Sequence, residues 1–207
     1  TIPMSIHSDS IRIDRGLTLI ELMVTLSVLA ILATLAVPSF QRQIAAARLS
    51  EASNELLLAT ARARTAAIRL GQPVPVCKSS NGATCDAGSA GWETGWITFI
   101  DPTRTAATPS VDSGETVTFQ VGAFNGVRIL GNGDLANYVS YAADGRSKTM
   151  TGAFLAGKIR ICSPSAALND DQRARDLCIS STGRAVLTTP TGVSASCSAP
   201  PSSACCT

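Results

Sequence analysis

Histidine is nearly missing from this sequence, and the one that occurs, His7, precedes a long apolar run near the N-terminus. Also missing are a Gly-x-Ser-x-Gly motif, a phosphate-binding glycine-rich loop and a nucleophile placed to work with a base. The Gly-Asn-Gly-Asp sequence at 131–134 is typical of a turn. Because the usual catalytic constellations are missing, we predict that the protein is not an enzyme and has neither catalytic residues nor a cofactor.

No two of the seven cysteines have the Cys-x2-Cys spacing that is typical of zinc sites, so we expect no bound metal. Seven cysteines indicate an oxidising compartment instead. Cys77 and Cys85 flank the turn dipeptide Asn81-Gly82, which predicts a disulfide across a local hairpin.

The other cysteines leave alternatives open. Cys162 lies in a strand-like segment and is within reach of Cys178 or of Cys197, and the sequence does not decide between them. Cys205 and Cys206 are adjacent. With seven cysteines, one thiol stays free or pairs between chains.

The net charge is only +2, but the charges are unevenly distributed. Residues 42–70 contain five arginines and two glutamates, residues 71–125 two basic and five acidic residues, and residues 126–207 eight basic and five acidic residues. This pattern is compatible with neighbouring subunits, with an anion or with an ordinary solvated surface.

The apolar run at 15–37, RGLTLIELMVTLSVLAILATLAV, is long enough for a transmembrane helix. Arg12 and Arg15 favour a cytoplasmic N-terminus. A secretory signal peptide has a shorter apolar core and an Ala-x-Ala-like cleavage site, which this run lacks. Glu21 costs about 2.5–3.5 kcal/mol on insertion scales, so we expect this carboxylate to have a partner and a function.

The basic-Gly junction at Gly16, followed by Leu17 and Glu21, resembles the class III signal of type IV pilins and type II secretion pseudopilins. The resemblance implies that a prepilin peptidase cleaves after Gly16 and that the amino group of Leu17 is methylated. It also implies that Glu21 pairs with the N-terminal amine of a neighbouring subunit, offsetting the burial of both charges. Pro38 falls where many members of the family have a helix-kinking proline.

The implied location is the bacterial inner membrane, in contact with its lipid, with a cytoplasmic N-terminus and a periplasmic head, and afterwards the filament. Because Thr1 is not an initiator methionine, we interpret the chain as a precursor with an uncertain start. Residues 1–16 are then a leader and residues 17–37 the transmembrane helix.

The helical pattern continues beyond Pro38 to about residue 70, where Gly71 and Pro73 indicate its end. Small and apolar residues recur there at spacings of three and four. They are Leu49, Ala52, Leu56, Ala59, Ala63, Ala66 and Leu70. Residues 38–70 are therefore predicted to form an amphipathic helix that supports a head.

Short strands and turns follow, which predicts an antiparallel β head at 71–188 and a cysteine-rich tail at 189–207. The predicted strands are 74–78, 95–100, 115–121, 126–130, 138–142, 158–162, 177–180 and 184–188. Lys158, Arg160 and Cys162 alternate with isoleucines, as in a sheet with one wet face. The predicted fold class is α+β, with a long N-terminal helix packed on a small antiparallel sheet.

Two segments of the head resemble each other. Tyr138-Val139-Ser140-Tyr141 is followed, after three residues, by Gly145-Arg146, and Leu177-Cys178-Ile179-Ser180 is followed, after two, by Gly183-Arg184. Each is predicted to be a strand followed by a turn.

The head carries a narrower resemblance. The Gly-Trp-Ile-Thr-Phe-Ile-Asp sequence at 95–101 and the closing strands at 152–162 and 179–184 are similar to the GspH, FimT and FimU group of minor pilins. FimT-like members take up DNA with a Gly-Arg-x-Arg motif, but here Val186 replaces the second arginine after Gly183-Arg184. Arg184, Lys158 and Arg160 are the candidate contacts with DNA phosphates.

The resemblance implies a structural subunit whose partners are other pilin or pseudopilin subunits and the prepilin peptidase. The first hypothesis is a minor pilin that initiates or caps a type IV pilus, with a possible role in adhesion or DNA uptake. The alternatives are a minor pseudopilin of a type II secretion system and a DNA-binding uptake pilin.

Overall fold

A computed structural model describes residues 18–103 and 106–201, apart from the side chains of Leu35 and Asp134. Several positions discussed above lie outside the described residues. They are Thr1, His7, Arg12, Arg15, Gly16, Leu17, Cys205 and Cys206, with the rest of the predicted leader and residues 202–207 of the predicted tail.

One long helix, α1 (Leu19–Leu70), has 52 residues. It passes through Pro38 without ending, although proline cannot donate the backbone hydrogen bond to the preceding turn. It ends immediately before Gly71, as predicted. The chain divides into two compact units, Thr1–Phe40 and Gln41–Thr207, and α1 contributes residues to both.

Within the second unit, α1 buries a stripe of small and apolar side chains: Ala45, Leu49, Ala52, Leu56, Ala59, Ala63 and Ala67. The predicted stripe agrees as far as Ala63 and is wrong beyond it. Ala67 is fully buried, whereas Ala66 is half-buried and Leu70 is exposed. A helix of 3.6 residues per turn returns Ala67, four residues after Ala63, to the buried face.

Within the described residues eight strands follow, all in antiparallel pairs, and each of them overlaps one of the eight predicted strands. The first sheet has the order β3-β2-β1-β5 and the second the order β4-β6-β7-β8. Their bounds are β1 Val74–Lys78, β2 Trp96–Phe99, β3 Val117–Val121, β4 Arg128–Gly131, β5 Tyr138–Tyr141, β6 Gly157–Cys162, β7 Ala174–Ile179 and β8 Ala185–Thr188.

The buried stripe of α1 and both sheets share one hydrophobic core. Leu56 of the helix, Trp96 of β2 and Ile159 of β6 all belong to it and have no exposed surface. The fold class is therefore α+β, with one helix packed on antiparallel sheet, as predicted.

The wet face predicted for β6 is wrong. Arg160 is only 9% exposed and is paired with Asp176, and Cys162 is only 1% exposed and is joined to Cys197 of the C-terminal segment. Val193 and Cys197 form a second apolar cluster there with Cys162 and Ala174. The C-terminal segment is thus a cover on the second sheet, as far as residue 201.

Candidate assembly and binding surfaces

Glu21 lies in the first turn of α1, and its backbone N–H donates a hydrogen bond to the hydroxyl oxygen of Thr18 at 3.2 Å. Thr18 is therefore the N-cap, and Thr-x-x-Glu is the sequence pattern of a capping box. The helix dipole also favours a carboxylate at this end. This local role was not predicted, although residues 18–21 carry its signal. The side chain of Glu21 is exposed.

The N-terminal part of α1 exposes large apolar side chains on all sides. They are Leu19, Ile20, Leu22, Met23, Val24, Leu26, Val28, Leu29, Ile31, Leu32 and Val37. Keeping each such side chain in water rather than burying it costs about 1.5–3 kcal/mol. In length and composition α1 can cross a membrane, and it is the one helix among the described residues that can.

Hydroxyl groups in this apolar part are internally satisfied. Thr25 donates to the carbonyl of Leu22 at 2.9 Å, and Ser27 donates to that of Met23 at 2.7 Å. Such bonds let polar side chains enter an apolar environment without leaving a donor unpaired. This part of α1 therefore suits a membrane or a packed filament core.

The two similar segments form the same kind of hairpin turn. The N–H of Gly145 donates to the carbonyl of Ala142, and the N–H of Gly183 donates to that of Ser180, both at 2.8 Å. The two glycines have φ angles of +74° and +81°. These features match a three-residue hairpin loop whose last residue needs the left-handed conformation that glycine adopts.

Arg64 of α1 joins the two turns. Its Nε donates to the Gly145 carbonyl at 3.0 Å, and its Nη2 donates to the Thr182 carbonyl at 3.1 Å. The turns also touch each other, because a Cβ placed on Gly183 would lie 2.0 Å from the Gly145 oxygen. The structure therefore brings together two Gly-Arg turns that are 38 residues apart in the sequence.

The arginine after each glycine is exposed, so Arg146 and Arg184 both reach solvent from adjoining turns. The Cζ atom of the Arg146 guanidinium lies 5.7 Å from the centre of the Phe154 ring, which is within the distance of a cation–π contact. Phe154 is itself 61% exposed. We call Arg146, Arg184 and Phe154 the basic-turn surface.

Arg160, a predicted DNA contact, is not available for phosphate. Its Nε and Nη2 donate to the two carboxylate oxygens of Asp176 at 2.8 and 2.9 Å, in a buried bidentate pair across β6 and β7. Removing such a guanidinium from its partner would leave the carboxylate buried and unpaired. Lys158 is half-buried and also engaged. Of the three predicted contacts, only Arg184 is exposed.

Disulfides tie down the head. Cys77 is joined to Cys85, which is the pair predicted from the intervening turn. Of the two alternatives for Cys162, the structure has the bond to Cys197, which anchors the C-terminal cover. Cys178 is also disulfide-bonded.

The loop after β1 is held by a buried lysine as well as by its disulfide. The ammonium group of Lys78 donates to the carbonyls of Gly88 and Ala90, each at 2.8 Å. Burial lowers the pKa of Lys78, and the nearby carboxylates of Asp86 and Glu93 oppose that shift. Lys78 therefore supports the loop rather than presenting a charge to a partner.

The sequence matches two family models. The one described as "Type II transport protein GspH" matches residues 52–183, and the "Prokaryotic N-terminal methylation motif" matches residues 11–37. No curated protein has significant sequence similarity to the chain.

Two crystal structures of the Pseudomonas aeruginosa type IV minor pilin FimU are similar to this structure. The first is 16% identical with a TM-score of 0.47, over 69% of this chain and 98% of the FimU chain. The second is 17% identical with a TM-score of 0.46, over 74% of this chain and 93% of the FimU chain.

Proposed function

The chain belongs to the family described as "Type II transport protein GspH", and we propose that within this family it is a minor pilin of a type IV pilus. In this proposal it is a structural subunit that initiates or caps the filament by assembling with other pilin subunits. The N-terminal methylation motif and the apolar helix support a membrane-anchored precursor.

The observation that carries the proposal is the exposed apolar surface of α1 between Leu19 and Val37. This surface contains a single carboxylate, that of Glu21. In the proposed mechanism, a prepilin peptidase cleaves after Gly16 and the amino group of Leu17 is methylated. Glu21 then pairs with the N-terminal amine of a neighbouring subunit, and Pro38 loosens the helix where it enters the filament core.

Two substitutions of Glu21 separate its assembly role from its capping role. Glutamine at the third position of a helix retains the capping box but removes the charge, so Glu21→Gln keeps the helix start and loses the ion pair. We expect both Glu21→Gln and Glu21→Ala to remain in the membrane fraction and to be lost from sheared filaments. Glu51→Ala, at an exposed glutamate further along α1, is the matched control.

The two variants have different consequences for the proposal. Normal incorporation of Glu21→Gln together with loss of Glu21→Ala would assign Glu21 to capping alone and refute the ion pair. Normal incorporation of both would refute any assembly role for this residue.

A minor pseudopilin of a type II secretion system is the alternative within the same family. We favour the pilus because of the Gly-Trp strand at 95–101 and the cysteine-rich head. The neighbouring genes distinguish the two machines: other minor pilins support the pilus, and secretion components support the pseudopilin.

DNA binding is a second candidate function, favoured by the basic-turn surface. Arg146 supplies from the adjoining turn the second arginine that is replaced by Val186 in the sequence motif. Two exposed guanidinium groups provide phosphate contacts, and the exposed ring of Phe154 offers a surface for base stacking.

The double variant Arg146→Ala/Arg184→Ala tests this candidate. Loss of two phosphate contacts is expected to weaken DNA retention in a gel-shift assay. It is also expected to reduce the slope of log affinity against log salt concentration by about two. Arg128→Ala, at an exposed arginine of β4 away from these turns, is the control. Equal retention by the double variant and the wild-type chain would eliminate DNA binding by this surface.

A further inference from the structure

A groove runs along the C-terminal part of α1, beside the edge of the first sheet. Its volume is about 710 Å³, and its helical wall extends from Leu58 to Arg69. The eleven helical steps from Leu58 to Arg69 span about 16 Å, which is close to the length of five residues in extended conformation. The opposite wall is formed by β2 and by β3, which is an edge strand.

The groove has an apolar surface, and both charged side chains that line it are cationic. Leu58, Ala66 and Phe119 contribute apolar surface, while Arg62 and Arg69 are exposed along the helical wall. The Arg62 guanidinium carbon lies 4.7 Å from the centre of the Phe119 ring, so its charge is held over the groove. No acidic residue is among the described residues that line it.

A buried hydroxyl group in the groove has no hydrogen-bond partner. Thr98 is only 5% exposed and lines the groove, and its Oγ1 makes no hydrogen bond within the described part of the chain. An unpaired buried hydroxyl costs about 1–3 kcal/mol. A bound acceptor at this position would remove that cost.

We propose that this groove binds an extended, acidic segment of a partner protein, about five residues long, with an apolar side chain between two carboxylates. The apolar side chain packs between Ala66 and Phe119, the carboxylates face Arg62 and Arg69, and a carbonyl of the segment accepts a hydrogen bond from Thr98. Docking at a sheet edge is a common way to bind an extended peptide. The proposal goes beyond filament assembly, which uses the N-terminal part of α1.

The acidic stretch of a second copy at residues 101–115 is a poor occupant of the groove. Its carboxylates at Asp101, Asp112 and Glu115 are buried or half-buried and engaged in local hydrogen bonds. Asp176 is paired with Arg160. A foreign acidic segment therefore fits the groove better than the acidic region of the chain itself.

The test uses the full chain in phosphatidylcholine nanodiscs, with a fluorescein-labelled Glu-Val-Leu-Val-Glu peptide followed by fluorescence anisotropy. In an extended peptide the two glutamates and the leucine share one face. The isosteric peptide Gln-Val-Leu-Val-Gln measures the part of the affinity that depends on charge.

Three variants locate the binding site. Arg62→Gln is expected to weaken binding of the acidic peptide about tenfold, the effect of losing a charge-assisted hydrogen bond. Thr98→Val is expected to weaken it about fivefold without lowering thermal stability, because the removed hydroxyl has no partner in the free protein. Arg128→Gln is expected to bind as the wild-type chain does.

Four results would overturn the proposal: no binding of the acidic peptide, equal affinity for the neutral peptide, unchanged binding by Arg62→Gln and Thr98→Val, or an equal loss in Arg128→Gln. Self-association of the chain that these two groove variants abolish, and that the peptide does not compete with, would assign the groove to a second copy instead.

Discussion

The two parts of α1 are both helical, but the side chains of the first part are exposed and one face of the second part is buried. From Leu19 to Phe40 the large side chains are exposed and apolar, and no residue of that part is buried among those described. From Leu49 to Ala67 one face is buried against the two sheets.

The difference shows where the stability of each part comes from. The second part is stabilised by tertiary packing within the chain, which is the main source of helix stability in globular proteins. The first part has only local devices, namely its own hydrogen bonds and the cap at Thr18, until a membrane or neighbouring subunits cover it.

The largest expected effect comes from comparing two leucine substitutions, one in each part of α1. Leu56→Ala opens a cavity in the core and is expected to lower the free energy of unfolding of the head by about 2–5 kcal/mol. Leu29→Ala, at a side chain that is 62% exposed, is expected to change it by less than about 0.5 kcal/mol.

The two tryptophans of the sequence, Trp92 and Trp96, are both buried in the head, so their fluorescence reports its unfolding. The measurement is a thermal or urea unfolding curve of the full chain in detergent micelles. Equal losses in the two variants would mean that the N-terminal part of α1 also stabilises the head, and the comparison would fail.

The periodicity of the buried stripe in the second part of α1 could be predicted from the sequence, but not all of its packing contacts could. The stripe from Leu49 to Ala63 follows from apolar spacing, whereas the choice between Ala66 and Ala67 depends on how the helix lies on the sheets. In the same way, alternation identified β6 as a strand. Its covered face could not be predicted, because Cys197 comes from a segment 35 residues later.

A pH-dependent effect of intermediate size tests the packing of α1 on β5. Burial raises the pKa of Tyr141 to about 12, while the Thr60 hydroxyl and the Arg64 charge oppose the shift. An unfolded tyrosine loses its proton near pH 10, so between pH 10 and 12 the unfolded state binds fewer protons than the folded state. The free energy of unfolding is therefore expected to fall as the pH rises, by about 2–3 kcal/mol in total.

Tyr141→Phe removes this titration and keeps the ring. Unfolding of both proteins is measured at pH 7 and then from pH 9.5 to 12, and the quantity of interest is the difference between the two curves. A difference that stays constant over this range would show that the Tyr141 hydroxyl group is not shielded from water by the helix.

The candidate sites show the same division between local and distant information. Glu21 is identifiable from a short motif, and the repeated Gly-Arg turns are visible in the sequence. The contact between the turns is not visible there, because it involves Arg64 of α1, which donates hydrogen bonds to carbonyls of both turns. Arg160 fails as a DNA contact for a similar reason, since its partner Asp176 lies on the neighbouring strand.

The smallest expected effect concerns the local device at the start of α1. Thr18→Ala removes the oxygen that accepts the Glu21 N–H and is expected to cost about 1 kcal/mol of local helix stability. Thr18→Asn is the matched control, because asparagine caps helices at least as well as threonine. Amide hydrogen exchange at Glu21 and Leu22 in micelles measures the effect, which is expected to be about fivefold faster exchange in the alanine variant only.

Because the head does not depend on this cap, its tryptophan-monitored unfolding is expected to be the same in all three proteins. Faster exchange in both variants would show that the hydroxyl group has a role other than capping, and a change in head unfolding would contradict the separation of the two parts of α1.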